Sequence, residues 1–372
     1  MVRRDNILLV ALLYPFSLIY GFVVSIRNIL FDYHILVSHE FDIPVISVGN
    51  ITAGGTGKTP HIEHLARLLR TEFRVAILSR GYRRKSGGYQ LVTGTSTAGQ
   101  VGDEPLQLKK KFPDVIVAVE NSRVKGIKRL MAEYQDLSVI LLDDAFQHRY
   151  VRPGLSILLV DYNQPLSADR LLPAGRLREQ PFEKRRAHLI LVTRCPEHLK
   201  PIERRLVVKD LQLFPFQHLF FTTIKYEEPR PVFPDAVPDP LTHDLIRSLK
   251  PNLLMVAGIA YPRPLKKYLR SISTRIDEII YPDHHPYRQK DIEFISRKFY
   301  SLNTGEKFLF TTEKDAMRLQ KYAHMDPAIK ARAYYVPLVI DFLNEDTRNF
   351  NQLILNYVRN NRRNSILHKK QD

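Results

Sequence analysis

The stretch Val45-Ile46-Ser47-Val48-Gly49-Asn50-Ile51-Thr52-Ala53-Gly54-Gly55-Thr56-Gly57-Lys58-Thr59 decides the fold. A β-prone run enters a glycine-rich loop. Ile62, Leu65, Ala66 and Leu69 then recur at helical spacing. Strand, loop and helix in this order are the context of a phosphate-binding loop. Glycines let the backbone wrap around phosphate, and the amides and helix N-terminus face the anion. The residues expected around the phosphates are Thr52, Ala53, Gly54, Gly55, Thr56, Gly57, Lys58 and Thr59. Lys58 is placed to reach the β- and γ-phosphates, and the Thr59 hydroxyl to ligate Mg²⁺. One departure stands out. Thr52 occupies a position usually held by glycine, so Gly54 and Gly55 must supply the flexibility. A glycine-rich turn with an incidental lysine is the plainer reading, and the flanking strand and helix count against it.

Similar β-rich runs recur at Val75–Leu78, Val115–Val119, Val139–Leu142, Ile157–Val160 and Leu189–Val192. Helical patterns lie between several of them. Buried strands alternating with amphipathic helices predict an α/β fold, a mostly parallel sheet flanked by helices. Leu219–Ile224 reads as a further strand. Pro229, Pro231, Pro234, Pro238 and Pro240 then forbid helix or central strand. A second set of runs follows at Leu253–Ala257, Lys307–Thr311 and Tyr334–Ile340, so a second, smaller α/β lobe is expected. The expected boundaries are 1–36 for an N-terminal helical segment, 37–216 for the phosphate-loop domain, 217–240 for a connector, 241–358 for the second lobe and 359–372 for a basic tail.

The chain has 372 residues, enough for two domains at about 150 residues each. Its 44% hydrophobic and 26% charged content excludes wholesale disorder. Cys195 is the single cysteine, which excludes an internal disulfide and a cysteine zinc cluster. Lys and Arg exceed Asp and Glu by 56 to 39, a formal +17. That favours anionic partners: nucleic acid, phosphorylated substrates or an anionic membrane.

From Asn6 to Ile26 there is no charge, and most residues are large and apolar. Such a helix can cross a hydrocarbon core of about 30 Å. A signal peptide would need a small-residue cleavage site, which is not evident before Arg27. A buried core helix and a membrane anchor, spanning or interfacial, both remain. Tyr14, Tyr20, Tyr33 and Arg27 suit the headgroup level and favour the anchor.

The run Leu137–Leu142 delivers Asp143 and Asp144 to a strand end, where a carboxylate can hold the metal. Asp144 is the expected ligand, with Asp143 in support. Asp103 and Glu104 precede an amphipathic stretch, and helix-start chemistry alone would explain them. Pro282-Asp283-His284-His285-Pro286 offers a proton relay or a solvated loop. Arg80, Arg123 and Arg176 sit after strands or in Gly/Pro loops, where arginines clamp phosphate, although each could be ordinary surface charge.

Together the stretches GNITAGGTGKTP from Gly49, SRGYRRK from Ser79, GDEP from Gly102, LLDDAFQHR from Leu141, LLPAGRLRE from Leu171, PDHH from Pro282 and TTEKDAMRL from Thr311 resemble one family. It is the tetraacyldisaccharide 4′-kinases of lipid A biosynthesis. The resemblance implies a P-loop kinase-like fold with a C-terminal α/β lobe. It implies ATP and Mg²⁺ as cofactors, and transfer to the 4′-hydroxyl of a tetraacylated disaccharide 1-phosphate. It assigns Asp103 as catalytic base paired with His284, Lys58 to the transferring phosphoryl group, and Glu104 and Asp144 to the metal side with Thr59. His285 is the less defined of the two histidines. Asn50 and Gln147 join Arg80, Arg123 and Arg176 as expected substrate contacts. The implied partners are an anionic glycolipid and the inner face of the bacterial cytoplasmic membrane, with the chain a monomer. A different P-loop small-molecule kinase or a nucleic-acid-stimulated ATPase is the alternative. The latter needs a basic–aromatic platform, none is evident, and no nucleic acid is expected.

Overall fold

The computed structural model describes residues 7–82, 84–237, 241–283, 285–303, 305–322 and 324–368. It divides into two compact units, 1–224 with 340–372, and 225–339.

In chain order the first unit's strands are β1 Val45–Asn50, β2 Val75–Ser79, β3 Gln90–Leu91, β4 Ile116–Val119, β5 Val139–Asp143, β6 Leu155–Asp161, β7 Leu189–Thr193 and β8 His218–Tyr226. The second sheet draws on β9 Arg230–Pro231, β10 Asn252–Ala257, β11 Ile276–Ile280, β12 Lys307–Thr312 and β13 Ala333–Val336. The last strand, β14 Leu338–Phe342, returns to the first sheet.

The first sheet has the order β14-β8-β7-β6-β1-β5-β2-β4-β3. From β4 through β8 every pairing is parallel, and β3 is antiparallel to β4. Its strands alternate between two cores. Val139, Leu141, Ile157, Leu159, Leu189 and Leu191 face the helix Lys58–Leu69, whose Ile62, Leu65, Ala66 and Leu69 are buried against them. Ile140, Leu142, Leu158, Val160, Ile190 and Val192 face the other side. Burial on both faces explains why these strands read as continuous apolar runs. Successive connections diverge on either side of β1, which lies between β5 and β6. That is the switch point at which open α/β sheets form a crevice beyond the strand ends. Register places Asp143 opposite Val48, so the acidic strand end lies beside the phosphate loop.

The second sheet has the order β11-β10-β12-β13-β9, with β9 alone antiparallel. Leu254, Val256 and Leu309 line one face, and Leu253, Met255, Phe308 and Phe310 the other.

Four readings of the sequence need correction. The run Tyr334–Ile340 is not one strand: it breaks at Pro337, which lacks the N–H needed to continue a ladder. The second lobe does not extend to 358, because Phe342, Phe350, Ile354 and Val358 bury themselves in the first unit's core. The stretch from 359 is not a separate tail as far as His368, since the helix Asp346–His368 continues through it. The span 217–240 is likewise not all connector, as β8 is a full member of the first sheet.

The N-terminal run is a helix, Ile7–Asp32, with Pro15 inside it. Only 11% of its most apolar window is buried, which removes the core-helix reading. Its docked side is the polar one. Ser17 Oγ donates to Leu171 O (3.0 Å), Tyr20 OH to Arg178 O (2.9 Å) and Arg27 Nη2 to Gln147 O (2.9 Å). Leu8, Leu12, Phe16, Ile19, Phe22 and Val23 face outward. A helix of a soluble protein shows the opposite polarity.

Candidate active site

The loop after β1 ends at Gly57, whose φ of 87° is left-handed and favours glycine before the helix begins at Lys58. Lys58 Nζ lies 3.2 Å from Asn50 Oδ1 and 3.5 Å from Asp144 Oδ1, so the ammonium is held at the helix N-terminus. Thr193 Oγ1 donates to Thr56 O (3.0 Å), while the buried Thr56 Oγ1 has no protein partner. The Leu171–Glu179 loop braces the start of the phosphate loop. Ala53 N donates to Arg176 O (2.6 Å), and Arg178 N to Ile51 O (2.7 Å). His61 bonds to Gly57 O (2.7 Å) and Thr222 Oγ1 (3.1 Å). Burial pushes its imidazole down to about 4, so it stays neutral.

Asp143 and Asp144 are adjacent yet oppositely tuned. Asp143 is buried and accepts from Ser79 Oγ at 3.0 Å, but its Oδ1 has no partner. Burial raises its carboxyl to about 6, with Glu104 and Asp144 pushing the same way and Lys58 opposing. Burial would raise Asp144 too, but Lys58, Arg178 and Arg123 outweigh it and hold that carboxyl below its ordinary value. Arg178 Nη1 reaches Asp144 at 3.2 and 3.4 Å and Gln147 Oε1 at 3.3 Å. One member of the pair is thus protonatable near neutrality and the other is firmly anionic.

Asp103 and Glu104 open the helix Asp103–Lys111, where acids complement the helix dipole. Gly102, with φ of 94°, lies against the turn after β2. A Cβ there would stand 3.2 Å from Tyr82 O and 3.3 Å from Gly81 Cα. This backbone-to-backbone packing carries the GDEP stretch to the strand edge. Glu104 is then close enough for its charge to act on Asp143.

The expected substrate contacts divide. Arg80 is exposed. Gln147 is tied into the loop, with Nε2 donating to Asn50 O (2.7 Å). Asn50 is fully buried and holds Lys58 and Thr52 O. Arg176 pairs with Asp169 at 3.2 Å and also donates to Gln164. Arg123 is 2% exposed, and donates through Nη1 to Glu120 O (2.8 Å) and Nη2 to Asp143 O (3.0 Å). It clamps two strand ends and is turned into the protein. Two further arginines lie at the loop. Arg178 follows Arg176 in a motif already quoted. Arg194 pairs with Asp161 at 2.8 Å and reaches within 3.5 Å of a Cβ on Gly55.

In the second unit, His284 lies outside the described residues. His285 Nε2 is 3.0 Å from Asp291 Oδ2, and its ring stacks on Tyr281 at 4.3 Å. Beneath it the TTEKDAMRL stretch forms a buried cluster. Asp315 accepts from Gly258 N (2.9 Å), Thr312 Oγ1 (2.7 Å) and Arg318 Nη1 (3.0 Å). A Cβ on Gly258 would stand 3.4 Å from His285 Cβ, so this cluster underlies the PDHH loop.

The arrangement suits an anion at the helix N-terminus and a divalent cation beside it. Among the described residues there is no group of three His, Cys, Asp or Glu that could hold a metal. Mg²⁺ needs no such cage, because it keeps waters and shares substrate phosphates.

Comparison with known proteins agrees. The family described as Tetraacyldisaccharide-1-P 4'-kinase matches residues 9–359. A Bacteroides thetaiotaomicron protein named tetraacyldisaccharide 4'-kinase is 46% identical over 365 residues, covering 97% of this chain and 96% of its own. One of the same name from Porphyromonas gingivalis W83 is 42% identical over 353 residues, covering 92% and 96%. The structure of "apo" form LpxK from Aquifex aeolicus in complex with ATP superposes with a TM-score of 0.71 at 29% identity, covering 94% of this chain and 99% of that one. On sequence and fold, the chain belongs to the tetraacyldisaccharide-1-P 4'-kinase family.

Proposed function

We propose that this chain transfers the γ-phosphoryl group of ATP to the 4′-hydroxyl of tetraacyldisaccharide 1-phosphate, at the cytoplasmic face of the inner membrane and as a monomer. The observation that carries the reading is Lys58, held between Asn50 and Asp144 at a helix N-terminus beside an acidic strand end. In the reaction, Asp103 accepts the hydroxyl proton as the oxygen attacks the γ-phosphorus, and ADP leaves. The family resemblance pairs His284 with that base. Lys58, with Arg178 and Arg194 nearby, stabilises charge on the transferring group. Thr59, Glu104 and Asp144 would hold Mg²⁺ together with the phosphates, and the ion would supply charge neutralisation there. Asp143 is placed to hold or release a proton beside that site, and Arg123 fixes the strand end that presents it. Arg80 remains available to an anionic substrate. The outward apolar face of Ile7–Asp32 supports a membrane-borne lipid acceptor.

The test is transfer of label from γ-labelled ATP, with Mg²⁺, into the lipid acceptor in detergent. Labelled lipid is the expected product. ATP turnover without labelled lipid would leave a P-loop enzyme with another acceptor.

A further inference from the structure

We infer that a second bilayer contact, formed by Phe182, Phe214 and Phe216, flanks the N-terminal helix. The segment from Leu171 to Arg186 follows that helix. Leu171 crowds the position of a Cβ on Gly21, with Gln180 beside it, and Arg185 pairs with Asp32 at the helix end. Phe182 falls between these two ties. It is 58% exposed, and Phe216 is 54% exposed. The Phe182 and Phe214 rings meet edge to face at 6.0 Å, and Phe214 stacks on Phe216 at 6.0 Å. The Arg185 guanidinium lies 5.2 Å from the Phe182 ring centre, and the Lys184 ammonium 5.6 Å from that of Phe214.

Three phenylalanines linked through Phe214 on a surface mark an interaction site. The occupant we assign is the acyl–headgroup boundary of a lipid bilayer. Two observations select it. The ladder lies beside a helix whose own free face is apolar, with Leu18, Phe22, Ile26 and Ile29 exposed and Tyr33 and Ile35 exposed beyond its end. Its flanking charges are basic: Asp32 is held between Arg149 and Arg185, so the cations outnumber it. Aromatic rings with cations at their edge are the chemistry of that boundary. The inference rests on the reading that the helix faces a membrane.

The chain contains no tryptophan, so Phe216→Trp in the full chain gives a single reporter. With phosphatidylethanolamine–phosphatidylglycerol vesicles its emission should move to the blue. Brominated acyl chains should quench it about twofold. The double variant Phe182→Ser/Phe216→Ser should partition to the same vesicles roughly tenfold more weakly, with an unchanged thermal midpoint. Vesicle-bound protein with unshifted, unquenched emission would overturn the inference and leave the membrane reading standing. Protein that never sediments with vesicles would overturn both. A blue shift that follows protein concentration without lipid would assign the ladder to a second copy of the chain, and overturn it as well.

Discussion

Two buried aspartates near strand ends, one in each unit, have opposite surroundings. Asp315 is fully buried and saturated: a backbone amide, a threonine hydroxyl and a guanidinium meet its oxygens. Asp143 is buried almost as deeply, yet one oxygen has no partner and its carboxyl is raised to about 6. Burial alone therefore does not separate structural from chemical carboxylates. Saturation does. A saturated buried acid stabilises a loop, whereas an unsaturated one has capacity left for a proton or a cation.

The largest effect should come from the chemical side. Lys58→Ala is expected to lower kcat/KM for phosphoryl transfer by about 10³-fold or more, with a thermal midpoint near that of the wild type. Steady-state kinetics and a melting curve check both halves. Asp315→Ala should do the reverse. It leaves Arg318 buried without its anion and should cost about 3–5 kcal/mol of stability. Urea titration reads this directly. If Asp315→Ala melts like the wild type but loses transfer, the contrast breaks.

The pH dependence of Asp143 sharpens it. Its carboxyl rises from 3.8 to about 6 on folding, through burial and then the charges of Glu104 and Asp144. The folded state therefore binds this proton more tightly than the unfolded state. Its contribution to stability is complete below about pH 4 and lost as pH rises through about 6. Asp143→Asn should gain on the wild type as pH rises across that window. A constant difference between the two would remove the raised carboxyl. The smallest effect is expected at Arg123. Arg123→Lys keeps a cation but loses one of two carbonyl contacts, costing about 1 kcal/mol. Transfer should fall less than about tenfold. A larger loss of kcat would place Arg123 at the substrate.

The same distinction explains what the sequence could reveal. The central strands were legible because both faces are buried, so their runs are apolar throughout. β11 was not, since only Ile279 is buried, between the exposed Glu278 and Ile280. β9 and β3 are two-residue edges with no pattern to read. The return of β14 to the first sheet depends on Pro337 and on Phe342, Phe350, Ile354 and Val358 finding a core more than a hundred residues away in sequence, which no local signal carries. At the site, the phosphate loop was legible because its glycines and Lys58-Thr59 are contiguous. Arg194 was harder to single out, because a guanidinium near Gly55 looks in sequence like any other surface arginine. For Arg123 and Asn50 residue type alone could not tell inward from outward.

The most direct test of the account is the pair kcat and ATP affinity for Asp103→Ala beside the wild type, with Mg²⁺ and tetraacyldisaccharide 1-phosphate in detergent. A base acts in the transition state, so kcat should fall by about 10²–10⁴-fold while ATP affinity stays within about twofold. A variant with wild-type kcat and weakened ATP binding would contradict the assignment of Asp103 as the base.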